Sequence, residues 1–241
     1  IFHLGACSST TESNAQFMLE NNYEYSKHLV KFALKKDLRF IYASSAATYG
    51  DGSLGFSDDH ELLERLRPLN IYGYSKHLFD LWLKKNGLLK KVVGLKYFNV
   101  YGPRSNASDY GAVIPIFIRR VLEGKPPIIY GDGKQTRTFL YISDAVRGTI
   151  SALKHEGTFN IGSEVETTIE DLAYLIMKIG GLKGKPIYAS YRDFYGSSYE
   201  DIRRRVPDTS KAQRILKFQP KVDLETGLKK TFRWFKNNLG Y

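Results

Sequence analysis

Along the first hundred residues, short apolar runs alternate with longer stretches patterned for helix. Residues 2–4 read as a short strand that stops at Gly5. Residues 14–36 place Phe17, Met18, Tyr25, Leu29, Phe32 and Ala33 at helical spacing. Residues 40–43 read as a short buried strand and residues 51–68 as a polar, glycine-bearing loop. Residues 72–85 are amphipathic, with Leu78, Leu81 and Trp82 on one stripe, and residues 92–98 form a strand ending at Asn99. Strands alternating with helices of this length predict an α/β fold whose parallel sheet is covered on both faces.

After Gly102-Pro103 the texture changes. The pattern predicts a helix over 114–122, a strand over 128–130 and a turn over 131–134. Residues 139–142 lead into Ser143-Asp144, expected to cap a helix through 153. A strand follows at 159–162, and Thr168 is placed to cap a helix through 179. Residues 224–238 form an amphipathic helix with Leu228, Phe232 and Phe235 as its core stripe. No internal repeat, low-complexity segment or linker interrupts the chain.

Composition narrows the class. With 241 residues, 42% of them hydrophobic and 25% charged, the chain has room for one or two packed domains. Its apolar runs, such as 113–118, are too short for a membrane-spanning helix, and no signal-peptide pattern opens it. The single cysteine, Cys7, excludes an intramolecular disulfide framework and suits a reducing, cytoplasmic compartment. The net charge of +11 is scattered over pairs such as Lys35-Lys36, Lys90-Lys91 and Arg119-Arg120. Solvated surface is the first reading of that charge and an anionic small-molecule substrate the second. Nucleic acid comes last, since no binding-module motif accompanies the charge. Neither a nucleic-acid nor a membrane partner is expected.

Three clusters at successive strand ends could carry chemistry. In Tyr72-Gly73-Tyr74-Ser75-Lys76, Tyr72 and Lys76 are four apart and share a helix face. An ammonium beside a phenol favours the phenolate, so this pair is expected to have a lowered tyrosine pKa and to move a proton on or off a hydroxyl. Ala43-Ser44-Ser45-Ala46-Ala47-Thr48-Tyr49-Gly50 follows a strand, where parallel sheets bind ligands. Lys96-Tyr97-Phe98-Asn99-Val100-Tyr101-Gly102-Pro103 closes a third strand. Singly, each has a bland reading: an exposed amphipathic pair, a backbone-satisfied serine, a capping asparagine.

Together they resemble the extended short-chain dehydrogenase/reductases that act on nucleotide sugars, the NAD-dependent epimerase/dehydratase family. The resemblance implies a Rossmann-type doubly wound sheet with a smaller C-terminal substrate domain. Residues 1–103 would form the dinucleotide-binding domain and 104–241 mainly the substrate domain, with 138–163 returning to the former. It implies Ser45, Tyr72 and Lys76 as catalytic residues: the tyrosine as acid/base, the lysine lowering its pKa and holding the nicotinamide ribose, the serine orienting the sugar. Ala6, Asn22, Ser44 and Tyr97, with Tyr72 and Lys76, would contact NAD or NADP. Ser8, Ser9, Asn99, Arg137 and Arg203 would contact a nucleotide-diphosphate sugar, and no metal is expected. A homodimer or higher homo-oligomer is a further implication, through residues 14–36 and 72–86. Loss of Ser45, Tyr72 or Lys76 would have suggested an inactive binding or scaffold relative, and all three are present.

Dehydratases of this family carry Asp-Glu just after the catalytic hydroxyl residue, and decarboxylases a Glu one position later. Ala46 and Ala47 stand there, which argues against both reactions and leaves epimerisation. The segments Gly5–Glu12, Asn21–Lys27, Tyr42–Gly50 and Asn70–Lys76 resemble the ADP-glyceromanno-heptose 6-epimerases. Those enzymes carry a His-Lys pair soon after the position of Pro103, whereas residues 104–110 here contain no lysine. Residues 111–163 resemble UDP-hexose 4-epimerases instead, through Gly131-Asp132-Gly133, Arg137, Phe139, Tyr141-Ile142 and Asp144. Arg137 would then pair with the diphosphate. Arg203 would either approach it or pair with Asp201 or Asp208. The heptose reading comes first, the UDP-hexose reading second.

The family's Gly-x-x-Gly-x-x-Gly pyrophosphate loop is not found near the start. Residues 2–4 resemble the fourth strand of the fold, so two strand–helix units, about 60 residues at ~30 each, are expected to be missing. NAD and NADP are therefore not distinguished, and this chain alone is expected to bind cofactor poorly and to be inactive.

Overall fold

The computed structural model describes residues 1–10, 12–106, 112–190 and 202–238. Thr11, Asp201 and residues 107–110 of the lysine-free stretch lie outside the described residues. In chain order come β1 (Phe2–His3), α1 (Ala15–Leu19), α2 (Tyr25–Lys35), β2 (Ile41–Ser45), α3 (Ile71–Lys85), β3 (Val93–Tyr97) and β4 (Val100–Tyr101). Then follow α4 (Val113–Leu122), β5 (Ile128–Tyr130), β6 (Thr136–Thr138), β7 (Leu140–Tyr141), α5 (Ile142–Ser151) and β8 (Gly157–Ile161). The remainder is β9 (Glu166–Thr168), α6 (Ile169–Gly180), β10 (Ile187–Ala189), β11 (Arg204–Arg205), α7 (Ser210–Leu216) and α8 (Leu224–Asn238).

These elements form two compact units. The first comprises residues 1–98, 145–164 and 207–219, and the second 99–144, 165–206 and 220–241. The first unit holds a four-stranded parallel sheet in the order β1-β2-β3-β8. Its register sets Ser44 beside Lys96 and Ser45 beside Tyr97. Phe40, Ile41, Val93, Leu95, Phe159 and Ile161 are fully buried or nearly so, because both faces are covered. This is the parallel α/β arrangement that the alternating pattern predicts.

The predicted helix over 14–36 forms with a difference. Asn14 caps α1, and a π-helical turn, Glu20–Glu24, joins α1 to α2, with the Tyr25 N–H reaching back to the Glu20 carbonyl. Such turns insert a residue into the helical repeat. Asn22 lies in this turn and is 1% exposed.

The second unit packs α4, α6 and α8 around Ile118, Ile129, Leu172, Ile176, Leu228 and Phe235. The Leu228, Phe232 and Phe235 stripe is buried as its spacing predicts. Thr168 caps α6 by accepting from the Asp171 N–H at 2.9 Å. The expected cap at Ser143-Asp144 is corrected: α5 already starts at Ile142. Asp144 Oδ2 instead accepts from the backbone N–H groups of Lys221 and Val222, at 2.8 and 2.9 Å. Among the described residues, no helix is long and apolar enough to cross a membrane.

Candidate active site

Helix α3 and the end of β2 build the centre of the site. Asn70 caps α3, its Oδ1 accepting from the Gly73 N–H at 2.8 Å, so Tyr72 sits in the first turn. Residue 73 must be small, since a Cβ there would lie 2.8 Å from the Ala47 carbonyl oxygen. That close approach brings the start of α3 against the turn that follows Ser45. Ser45 Oγ accepts from the Ala47 N–H at 3.1 Å and opens the 3₁₀ turn Ala46–Tyr49.

Lys76, one helical turn beyond Tyr72, is 6% exposed. Its Nζ donates to the Ala43 carbonyl at 2.9 Å. Burial lowers the Lys76 pKa to about 8, and the nearby Asp80 carboxylate opposes that fall. Burial also pushes the Tyr72 phenol up, with the Ser45 hydroxyl beside it pulling weakly the other way. The expectation that Lys76 lowers Tyr72 is therefore corrected for this arrangement. The ammonium is engaged with the Ala43 carbonyl, and desolvation of the phenol is the larger effect.

The loop after β1 completes this group. Asn22 Oδ1 accepts from the Cys7 N–H, and its Nδ2 donates to the Cys7 carbonyl and to Ser75 Oγ, each at 2.9 Å. One buried amide thus ties the loop to α3 next to Lys76. Asn22 acts here as a clamp between the loop and α3. Ala6 and Cys7 line an open cavity of about 590 Å³ together with His3, Gly5 and Phe17. Ser8 and Ser9 are exposed in the same loop.

Two other expected cofactor contacts have side-chain partners within the first unit. Ser44 is 3% exposed, and its Oγ donates to Asp80 Oδ2 at 2.8 Å, so its side chain faces the interior. The Tyr97 hydroxyl hydrogen-bonds Thr149 Oγ1 at 2.6 Å. Burial raises the Tyr97 pKa against the smaller effect of Thr149.

Asn99, Arg137 and Arg203 belong to the second unit. Asn99 adopts φ +34° and donates to the Thr138 carbonyl at 2.9 Å. Arg137 Nη1 donates to the carbonyls of Thr136 and Ile202, at 2.8 and 2.6 Å. The partner of Arg203 is corrected: its Nη1 contacts both carboxylate oxygens of Asp132, at 2.8 and 2.9 Å, rather than Asp208.

Sequence reasoning missed a buried ion pair beneath the site. Asp80 and Lys96 lie 3.2 Å apart with side chains 2% and 3% exposed. The signals were present: Lys96 interrupts an apolar strand, and Asp80 follows Lys76 by one helical turn.

A tyrosine hydroxyl beside a serine hydroxyl, with a buried lysine one turn away, can pass a proton to or from a substrate hydroxyl. The residues present also fit the ribose end of a dinucleotide. Of the three N–H donors of Lys76, one is taken by Ala43. Among the described residues, no three His, Cys, Asp or Glu side chains gather to hold a metal.

The chain is 44% identical over 189 residues to an ADP-L-glycero-D-manno-heptose-6-epimerase of Nitratidesulfovibrio vulgaris, covering 74% of this chain and 58% of that protein. The chain thus spans less than two thirds of the length of that relative. It is 35% identical over 246 residues to a UDP-N-acetyl-alpha-D-glucosaminuronate decarboxylase of Bacillus cytotoxicus, covering 98% and 76% respectively. A UDP-glucose 4-epimerase of Thermotoga maritima, solved with UDP-glucose, matches at TM-score 0.87 and 30% identity over 99% of this chain and 77% of that one. The profile of the NAD dependent epimerase/dehydratase family matches residues 1–162, and with that match the chain is assigned to this family.

Proposed function

We propose that this chain carries the catalytic centre of a nucleotide-diphosphate-sugar epimerase, with ADP-glyceromanno-heptose inverted at C6 as the first reading. The observation that carries it is the placing of Ser45 at the end of β2 beside Tyr72, with Lys76 one turn further along α3. NAD, when bound, supplies a hydride acceptor that later returns the hydride. Tyr72 takes the proton of the sugar hydroxyl as the ketone forms and gives it back. Ser45 orients that hydroxyl. Lys76 holds the ribose, and any positive charge brought near the phenol eases its deprotonation. Residues 1–103 act as the cofactor portion and 104–241 mainly as the sugar portion, with 138–163 returning to the former.

A second reading is a UDP-hexose 4-epimerase. The motif around Gly131–Asp144 and the likeness to the Thermotoga maritima 4-epimerase across the chain favour it. Decarboxylation is not proposed, because Ala46 and Ala47 offer methyl groups where an acid or base is needed. We place the protein in the cytoplasm and expect self-association through the exposed Phe17, Tyr25 and Phe32 together with Tyr74 and Leu78. A light-scattering mass equal to one chain would overturn the latter.

The test is incubation with NAD and, in parallel, ADP-heptose and UDP-glucose, following sugar configuration by proton NMR. It is run on this chain and on a longer form bearing a pyrophosphate loop ahead of Ile1. Inversion of one sugar by the longer form supports the assignment, and the sugar that inverts selects the reading. Inversion of neither leaves a binding protein in place of an enzyme.

A further inference from the structure

The turn that follows Ser45 is four residues long, Ala46–Tyr49, and the bond that closes it, from the Gly50 N–H to the Ala47 carbonyl, is 3.4 Å. Side chains add what this backbone lacks. Thr48 is fully buried, and its Oγ1 donates to the Ser45 carbonyl at 2.8 Å. Lys96 Nζ, from β3, reaches the same Oγ1 at 2.6 Å and lies 4.6 Å from the centre of the Tyr49 ring. Lys96 is itself paired at 3.2 Å with Asp80 on α3, which also accepts from the Tyr42 and Ser44 hydroxyls of β2, each at 2.8 Å. One buried ion pair therefore touches the end of β2, the turn and α3.

Proton counting fixes the direction of these bonds. A carbonyl only accepts and a hydroxyl carries one proton, so the Thr48 proton points to Ser45 and its lone pairs face Lys96. Lys96 is thus the donor, and an ammonium donor in a dry interior polarises the hydroxyl and strengthens its bond to the Ser45 carbonyl. The same ammonium meets the negative face of the Tyr49 ring. A buried ion pair is a weak source of stability, and an apolar pair of the same volume would hold a core as well. An apolar pair would offer Thr48 no N–H. We propose that Lys96 and Thr48 are positioning residues for Ser45: the ammonium fixes the Thr48 hydroxyl, which fixes the Ser45 backbone and so the direction of the serine side chain. This rests on the epimerase reading for its purpose but not for its test.

The Ala47 N–H reports on this directly, because its acceptor is Ser45 Oγ at 3.1 Å. The experiment is amide hydrogen exchange of the full chain by NMR, with the Val93 N–H, bonded to the Phe40 carbonyl at 3.0 Å, as the reference within the sheet. Thr48→Val keeps the shape and removes the hydroxyl; Thr48→Ser keeps the hydroxyl. In Thr48→Val, Ala47 is expected to exchange about tenfold faster relative to Val93, and in Thr48→Ser the ratio is expected to return toward the native value. An unmoved Ala47, an equal rise at Ala47 and Val93, or a Thr48→Ser result equal to Thr48→Val overturns the proposal. If Thr48→Val does not fold, the double variant Lys96→Met with Asp80→Asn, which leaves no lone buried charge, decides: the same selective rise supports the proposal and an unmoved Ala47 overturns it. In the loop-bearing form, Thr48→Val should lower kcat about tenfold with KM little changed, and Thr48→Ser should recover it. A native loop-bearing form that inverts no sugar defeats the epimerase reading, while the exchange ratio still decides whether Lys96 and Thr48 hold Ser45.

Discussion

His77 follows Lys76 directly and makes acid stability a sharp test of the α3 environment. The ring is 3% exposed, and its Nδ1 is buried without a hydrogen-bond partner. Burial lowers its pKa from 6.5 to about 4; Asp80 opposes the fall, and Lys96 and Arg67 add to it. The unfolded chain therefore binds a proton on this ring between those values while the folded chain does not. Stability from keeping His77 neutral is complete above pH 6.5 and is lost as pH falls toward 4. Each pH unit in that window is worth about 1.4 kcal/mol. Going from about pH 7.5 to about pH 5 should cost the native chain about 2 kcal/mol through this group.

The comparison variant is His77→Leu, which removes the titration and suits an apolar site. The chain has two tryptophans, Trp82 on α3 and Trp234 on α8, so a Trp234→Phe background makes fluorescence report the first unit alone. Urea unfolding at several pH values then gives the two stability profiles. His3 and His60, also depressed by burial, contribute equally to both proteins and cancel. The variant's profile should be flatter by about 2 kcal/mol over the interval. Superimposable profiles would show that His77 is charged or solvated in the folded chain and would refute the reasoning.

Further outcomes follow from the same geometry. Tyr72→Phe should remove sugar inversion in the loop-bearing form while leaving its circular dichroism and melting temperature unchanged; retained turnover would exclude Tyr72 as the proton carrier. Gly73→Ala drives a methyl against the Ala47 carbonyl at 2.8 Å and should cost about 1–3 kcal/mol, measured by urea unfolding. Its turnover should fall further than that of an Ala substitution at Gly87, where nothing lies within 4 Å and the cost is the backbone strain of φ +65° alone. Asn22→Ala leaves the Cys7 backbone and Ser75 without their shared partner. Since Cys7 is the single cysteine, its reaction rate with a thiol reagent reads the loop directly and should rise at least several-fold. An unchanged rate would mean that the loop is held by other contacts.

How much of this was legible without coordinates depends on the range of the interaction. Apolar periodicity and capping side chains act within a few residues, so the strands, α3, α6 and the buried stripe of α8 could be read from the chain. Ser45 was legible from its place at the end of a strand, and Tyr72 and Lys76 from their spacing on one helix. The π turn was not, because a one-residue insertion barely disturbs the apolar period over 14–36.

Interactions between distant residues leave no local pattern. Asn22 reaches Ser75 across 53 residues, Ser44 reaches Asp80 across 36, and Arg203 reaches Asp132 across 71. Each is possible only after the strands have paired and the helices have packed. The protonation states of Tyr72 and Lys76 belong to the same class. Their spacing is local, but desolvation is set by everything folded around them. The sequence by itself determined on which elements Ser45, Tyr72 and Lys76 stand. Only the tertiary structure decided which charges are buried together, because desolvation and long-range hydrogen bonding arise from packing and not from spacing along the chain.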